Sequence, residues 1–495
     1  MITADPLLAE FYRRQVFVDA AKWICFWLVI ILISAVLTFA GITVGIPIAL
    51  LMFCIFIWNA IQDRSGIRNI LFLVGSYFLS GFIARFQFGN GVGGSTNYPA
   101  GATASIAYLL LFKEWWLFLR FRREGKNRIV IWCATTIIVL GFIQLVVSEQ
   151  PLESGRKLFQ NLTLNYVFFL LALFVSQREG VRRLLPRVLI LLLMCSILDA
   201  SYGLFQYMNG PPAFEIATFL DLDIGSMIIF GDFVKILSLN GSTYGLFYNL
   251  VFFISSLVLF RRRIPRYSVL ILTSACLSVV LMLTFSERTT LVMLFICAIV
   301  IVTIRLSRGE FKRIFRFSIV ILVVSLALVS ISVMVLQRID ISSGSKMERL
   351  AELASPTEAA DIVWRMSLWE EGVSQIWPNL LLGDGFKGEY AYHMEYLNIL
   401  TSLGAFGFIA WCLLNVSIVK TLWRLVGSLH SESILRNLGI ILIGFDFALL
   451  AAAIPNNPFI YSSGLIFFLL SGIIHASMNG AANVSTSYFS MDNEI

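Results

Sequence analysis

A chain of 495 residues with 58% hydrophobic and 14% charged side chains, at a mean hydropathy of +0.84, cannot keep most of its surface in water, since a soluble domain carries about 25% charged residues. The net charge of +7 would suit a polyanion, but the basic residues sit in short connections between apolar runs, where they act as topology signals. No nucleic-acid partner is therefore expected.

Apolar stretches near 20 residues recur along the chain, each long enough to cross about 30 Å of hydrocarbon. The opening MITADPLLAEFYRRQVFVDAAK has no small-residue cleavage site after a short apolar core, so Lys22 to Ala40 is expected to be a retained first span rather than a signal peptide. About fourteen spans are expected in all, centred near residues 31, 51, 79, 111, 138, 167, 197, 250, 276, 297, 326, 406, 446 and 468. The expected fold is all-α and polytopic. Transmembrane helices fill 1–336, an outer loop with an amphipathic helix fills 337–395, and further transmembrane helices fill 396–495.

The connections alternate in character. RFRREGKNR (120–128), REGVRRLLPR (178–187), RRRIPR (261–266), RLSRGEFKRIFR (305–316) and KTLWRLVGSLHSESILR (420–436) are basic. Between them lie GNGVGGSTNYPAG (89–101), SEQPLESGRK (148–157), the stretch from Tyr207 to Asn240, and residues 337–395. Basic loops stay in the cytoplasm, which predicts cytoplasmic N- and C-termini and places 337–395 outside. The seven cysteines, Cys25, Cys54, Cys133, Cys195, Cys276, Cys297 and Cys412, fall inside apolar runs without C-x-x-C spacing. They are expected to be buried thiols rather than disulfides or metal ligands.

A loop as long as 337–395 is uncommon without a purpose. Within it, Ser355-Pro356-Thr357-Glu358 matches a capping box with proline at the first helical position. Ile362, Met366, Trp369, Val373 and Ile376 then hold helical spacing on one face, with Arg365 at its edge. This helix is expected to lie along the outer membrane–water interface, roofing a cavity between the spans. Trp377-Pro378 ends it, and Gly383 and Gly385 let the chain turn sharply back toward the bilayer.

His393 is one of three histidines and falls where this loop meets the next apolar run, close to Glu389, Glu395 and tyrosines. A neutral imidazole suits proton abstraction from a hydroxyl; the alternative is an interfacial side chain that only snorkels. Arg288 stands in Ser286-Glu287-Arg288 between two spans. It is either a topology cap paired with Glu287 or an anion site, because guanidinium forks match phosphate oxygens. Arg85 and Lys235 are weaker candidates of the same kind. Asp199 and Asp446 lie within spans and could either bond a neighbouring helix or line a cavity. No Walker A, H-E-x-x-H or metal-spaced acidic cluster is present, so neither a metal nor a cofactor is expected.

HMEYLNILTSLGAFGF (393–408) resembles the signature of the O-antigen ligase and polysaccharide polymerase superfamily, in which a histidine motif precedes G-x-x-G at the start of a span. His393, Tyr396, Leu397, Leu400, Gly404 and Gly407 match it. Arg365, Trp369, Pro378 and Gly383-x-Gly385 follow the family's order upstream, and Ser286-Glu287-Arg288-Thr289 resembles its Ser-x-Arg turn. Met394 stands where asparagine is usual. The resemblance implies a GT-C-like membrane glycosyltransferase, metal-independent, working on the outer face of a bacterial inner membrane. Its donor would be an undecaprenyl-pyrophosphate-linked glycan. The acceptor would be another lipid-linked chain in a polymerase or lipid A core in a ligase, with a chain-length regulator as a protein partner. In that frame Arg288 and Arg365 would stabilise the leaving pyrophosphate, and Arg85 and Tyr396 would add substrate contacts. His393 is the first choice of base and Glu395 the second, and attack opposite the pyrophosphate would invert the anomeric carbon. A polymerase is preferred to a ligase. A flippase or transporter, which commonly shows internal repeats and broken helices at the midplane, is the rival of another class; the sequence shows no repeat.

Overall fold

The structure is a computed structural model describing residues 14–39, 45–62, 66–85, 98–120, 128–147, 163–219, 227–230, 233–236, 251, 273–278, 288–310, 360–385, 394–428, 433–454, 459 and 462–491, in parts of some helices by backbone alone. Helices dominate. In chain order they are α1 (Arg14–Phe39), α2 (Gly45–Gln62), α3 (Ile67–Arg85), α4 (Tyr98–Arg120), α5 (Arg128–Val147), α6 (Leu164–Glu179) and α7 (Val181–Phe219). A small antiparallel ribbon follows, β1 (Met227–Phe230) with β2 (Phe233–Ile236), pairing Met227 with Ile236 and Phe230 with Phe233. After it come α8 (Arg288–Ser307), α9 (Ala360–Ile376), a 3-10 turn at Trp377–Asn379, α10 (Glu395–Gly427), α11 (Ser433–Ala452) and α12 (Ser462–Met491). The spans expected near 250 and 326 fall almost wholly outside the described residues, and the one near 276 is described only over 273–278.

Four helices among the described residues contain stretches long and apolar enough to cross a membrane: Gln15–Ile33, Val181–Ser201, Glu395–Gly427 and Ile434–Ala452. The protein is thus a helical membrane protein. The stretch from Tyr207 to Asn240, expected as an outer connection, is regular over part of its length. The chain continues as α7 through Gly210-Pro211-Pro212 to Phe219, then forms the ribbon.

The interior is built around α6 and α12. Every residue of α6 from Leu164 to Ser176 is buried, as expected of a helix that is apolar on all sides. It runs beside α12, whose residues from Ser463 to Ala476 are equally covered. Close approach needs small residues at the crossing. A Cβ on Gly472 would meet the Phe169 carbonyl, and 3.1 Å away the Ala172 methyl. A second such crossing joins α11 to α8, where a Cβ on Gly444 would lie 3.0 Å from the Cys297 carbonyl.

Apolar side chains face outward in number, among them Leu32, Phe112, Trp132, Phe295 and Val416, each more than 60% exposed. Polar ones such as Asn69, Gln144, Asn165, Glu395 and Asp446 are buried. Leaving a large apolar side chain in water rather than burying it forfeits about 1.5–3 kcal/mol. A handful would offset a typical net stability of about 5–15 kcal/mol. Hydrocarbon around the bundle removes that penalty.

The two ends of the bundle differ. At one end, where α4, α6, α8 and α10 finish and α1 and α7 begin, Arg178 pairs with Glu114 at 2.5 Å, Arg187 with Asp19 at 3.0 Å and Arg305 with Glu310 at 3.5 Å. There Arg308 also donates to the Val426 carbonyl. The other end holds the candidate site.

Candidate functional site

Helix α10 is broken. Gly404 has φ 67° and ψ −173°, a backbone state essentially reserved for glycine. The break separates a short half, Glu395 to Leu403, from a long half, Ala405 to Gly427. In a straight helix Tyr396 and Trp411 would stand about 22 Å apart along the axis. Their ring centroids are instead 5.5 Å apart, edge to face, so the two halves fold back at an acute angle. The long half alone still spans about 34 Å.

The groups freed by the break are met by the chain just after α9. The Ala405 amide donates to the Leu380 carbonyl at 2.7 Å and the Phe406 amide to that of Leu381 at 3.4 Å, while the Thr401 carbonyl accepts the Asp384 amide at 2.8 Å. Residues 380–385 therefore form a strap wedged into the break. Its turns use Gly383 (φ 78°) and Gly385 (φ 80°). Gly383 lies directly against the break: a Cβ there would sit 2.6 Å from the Gly404 nitrogen. A Cβ on Gly404 would strike the Leu381 carbonyl. Gln144 of α5 secures the strap from the side, its amide donating to the carbonyls of Leu382 and, at 3.1 Å, Gly383.

Glu395 opens the short half and is fully buried. Its amide donates to the Ala453 carbonyl at 2.9 Å, and its carboxylate Oε2 accepts the Phe459 amide at 3.0 Å. Asn165 of α6 donates to the Phe459 carbonyl. This polar clasp ties α10, the connection between α11 and α12, and α6 together at one level. Tyr396 donates its hydroxyl to the Leu450 carbonyl at 2.6 Å. Trp411 stands edge-on to both Tyr396 and Phe459.

Of the residues singled out in the sequence, Glu395 and Tyr396 thus lie on the short half of α10, and Gly383 and Gly404 meet at the break that ends it. Arg365 is partly exposed on α9, which packs against α10. The apolar stripe of α9 is real but faces outward in part: Met366 and Val373 are exposed, as is Trp377 just past its end. Arg85 ends α3 and Arg288 begins α8, each described by backbone alone. His393 lies outside the described residues, directly before Met394, the extended residue that precedes α10. Lys235 pairs with Ile228 in the ribbon. Asp199 is buried in α7. Asp446 is buried in α11, and neither of its carboxylate oxygens has a hydrogen-bond partner among the described residues. Among those residues no group of three or more His, Cys, Asp or Glu side chains is placed to hold a metal ion.

Gln144, Asn165 and the backbone of Phe459 were not singled out from sequence. The signal for the first two was there: a lone amide in an apolar run is expensive and needs a partner. No protein-family model and no curated protein matches this chain.

Proposed function

We infer that the chain is a metal-independent membrane glycosyltransferase that polymerises lipid-linked polysaccharide repeat units. It would transfer a glycan from undecaprenyl pyrophosphate to an acceptor sugar hydroxyl on the periplasmic face of a bacterial inner membrane. The observation that carries this reading is the convergence of the family-like segments. Gly383 of the Gly383-x-Gly385 turn packs against Gly404 of Gly404-x-x-Gly407, separate in sequence, with Glu395 and Tyr396 in the folded-back half-helix. About fourteen spans in a GT-C-like arrangement, cytoplasmic termini and a chain-length regulator as partner belong to the same proposal.

In this mechanism the acceptor hydroxyl loses its proton to a base as its oxygen attacks the anomeric carbon, and the bond to the pyrophosphate breaks with the electron pair leaving on phosphate. Arg288 and Arg365 neutralise that charge, with Arg85 and Tyr396 as further contacts. His393 is the base. Glu395, already bonded to the Phe459 amide, suits holding the start of α10 in place better than proton transfer.

The test is glycan transfer in membranes carrying Arg288→Ala, Arg365→Ala or His393→Gln, with protein accumulation measured in parallel. Each is expected to accumulate. Each arginine variant should lose about 10²–10³ in rate, the usual consequence of removing one donor to a developing oxyanion. Polymer at near-wild-type levels from all three would end the proposal. A ligase to lipid A core would show the same losses with a different acceptor. A second reading, a lipid-linked glycan flippase or transporter, is favoured by one observation, the break in α10, since discontinuous helices build many transporter sites. Purified protein in vesicles separates them: a transferase elongates donor supplied on one side, whereas a flippase moves it across unchanged.

A further inference from the structure

The hydrogen bonds at the break are an exchange rather than a loss. In a continuous α-helix the Ala405 amide would bond the Thr401 carbonyl and the Phe406 amide that of Ser402. Here Ala405 and Phe406 bond the carbonyls of Leu380 and Leu381, and Thr401 accepts from Asp384. The strap supplies to Ala405, Phe406 and Thr401 what the other half would supply if the helix were whole. Both arrangements therefore satisfy these backbone groups, the condition for a spanning element to exist in two forms inside a membrane.

We propose that α10 is a two-state helix, folded back while strap 380–385 occupies the break and continuous from Glu395 to Gly427 when the strap withdraws, with Gln144 as the latch that holds the strap in. The folded-back form is favoured by contacts that the continuous one must give up. The Gln144 amide holds Leu382 and Gly383, Glu395 holds the Phe459 amide, and Tyr396 holds the Leu450 carbonyl. On straightening, Tyr396 leaves Trp411 and the short half swings away from α11. The strap has little of its own to keep it down: Leu381 and Leu382 are exposed side chains, so its seat is the backbone pairing and the latch. Gly404 permits both forms, since its present dihedral angles are open to glycine alone and glycine is also tolerated within a helix.

The two forms differ greatly in length. From Met394 to Trp423 a continuous helix measures about 43 Å. Folded at Gly404, the long arm to Trp423 measures about 28 Å, and the short arm returns alongside it. Spin labels on cysteines at Met394 and the exposed Trp423, in full-length protein whose seven native cysteines are replaced, would report the separation by pulsed electron paramagnetic resonance. The background protein is expected to show mainly a distance under about 30 Å. Gln144→Leu, which removes the latch without adding bulk, should add a population near 43 Å, about the length of the continuous helix. Gly404→Ala, which bars the folded-back dihedral angles, should make that population dominant. If both variants elute as monodisperse protein and show the short distance alone, the two-state helix is wrong. Should Gly404→Ala not fold, Gln144→Leu decides by itself. The measurement uses no substrate, so it stands or falls independently of glycan transfer.

Discussion

Glu395 shows how much a single residue can conceal in sequence. Its position beside the histidine motif made it a candidate base, yet its carboxylate is fully buried and accepts the Phe459 amide. That partner is a backbone group 64 positions away, and backbone donors leave no mark on an amino-acid string. A clasp of this kind makes a specific prediction. Glu395→Gln keeps a carbonyl acceptor for the Phe459 amide and should retain both fold and transfer. Glu395→Ala leaves that amide unmet inside the bundle, which typically costs about 1–3 kcal/mol. Thermal unfolding in detergent should therefore separate the two, with the alanine protein melting lower. If Glu395→Gln instead folds normally and loses transfer, Glu395 carries the proton after all. Asp446 is the counterpart that the sequence placed within a span, leaving open whether it bonds a neighbouring helix or lines a cavity; the structure buries it.

Among the elements, α9 and α10 mark what periodic patterns can and cannot disclose. The stripe from Ile362 to Ile376 is local, repeats at helical spacing and ends at Trp377-Pro378, so the end of α9 was legible in the sequence, while the capping box expected at Ser355 to Glu358 lies outside the described residues. The break in α10 was not. Apolar residues continue at helical spacing through Gly404, and a lone glycine in such a run is ordinarily tolerated. What breaks the helix is the strap, which comes from another part of the chain. The α6–α12 crossing raises the same point in a form open to test. A Cβ on Gly472 would strike the Phe169 carbonyl, and backbone on a buried helix cannot step aside cheaply. Overpacking of this kind typically costs about 1–3 kcal/mol. Gly472→Ala should thus lower the melting temperature and the accumulated amount, while alanine at Gly427, whose Cβ would meet nothing within 4 Å, should change neither by much.

For the molecule as a whole, composition reached the class, a membrane protein, and the structure adds the apolar exterior and the polar residues set inside. The gathering of Arg178, Arg187, Arg305 and Arg308 at one end agrees in direction with the alternation of basic connections in the sequence. If that end is cytoplasmic, the opposite end and the loop over 337–395 face outward. Cysteine labelling of intact cells tests this directly. A thiol introduced at Ser343 should react with an impermeant reagent and one at Arg263 should not; the reverse pattern would invert the orientation and with it the side on which any glycan chemistry takes place.

The contact between Gly383 and Gly404 has a genetic consequence. A Cβ on Gly383 would meet the backbone of Ser402 and Gly404, and one on Gly404 the backbone of Leu381 and Leu382, so both positions hold the same strap-to-helix seam and behave as one mutational unit. No side-chain substitution at either position can make room at the other, because the atoms in the way are backbone. Alanine at either should give much the same defect, and the double variant should be scarcely worse than either single one, the signature of strong coupling between neighbours. Suppressors of such a defect are then to be sought away from both glycines, along the strap or at Gln144.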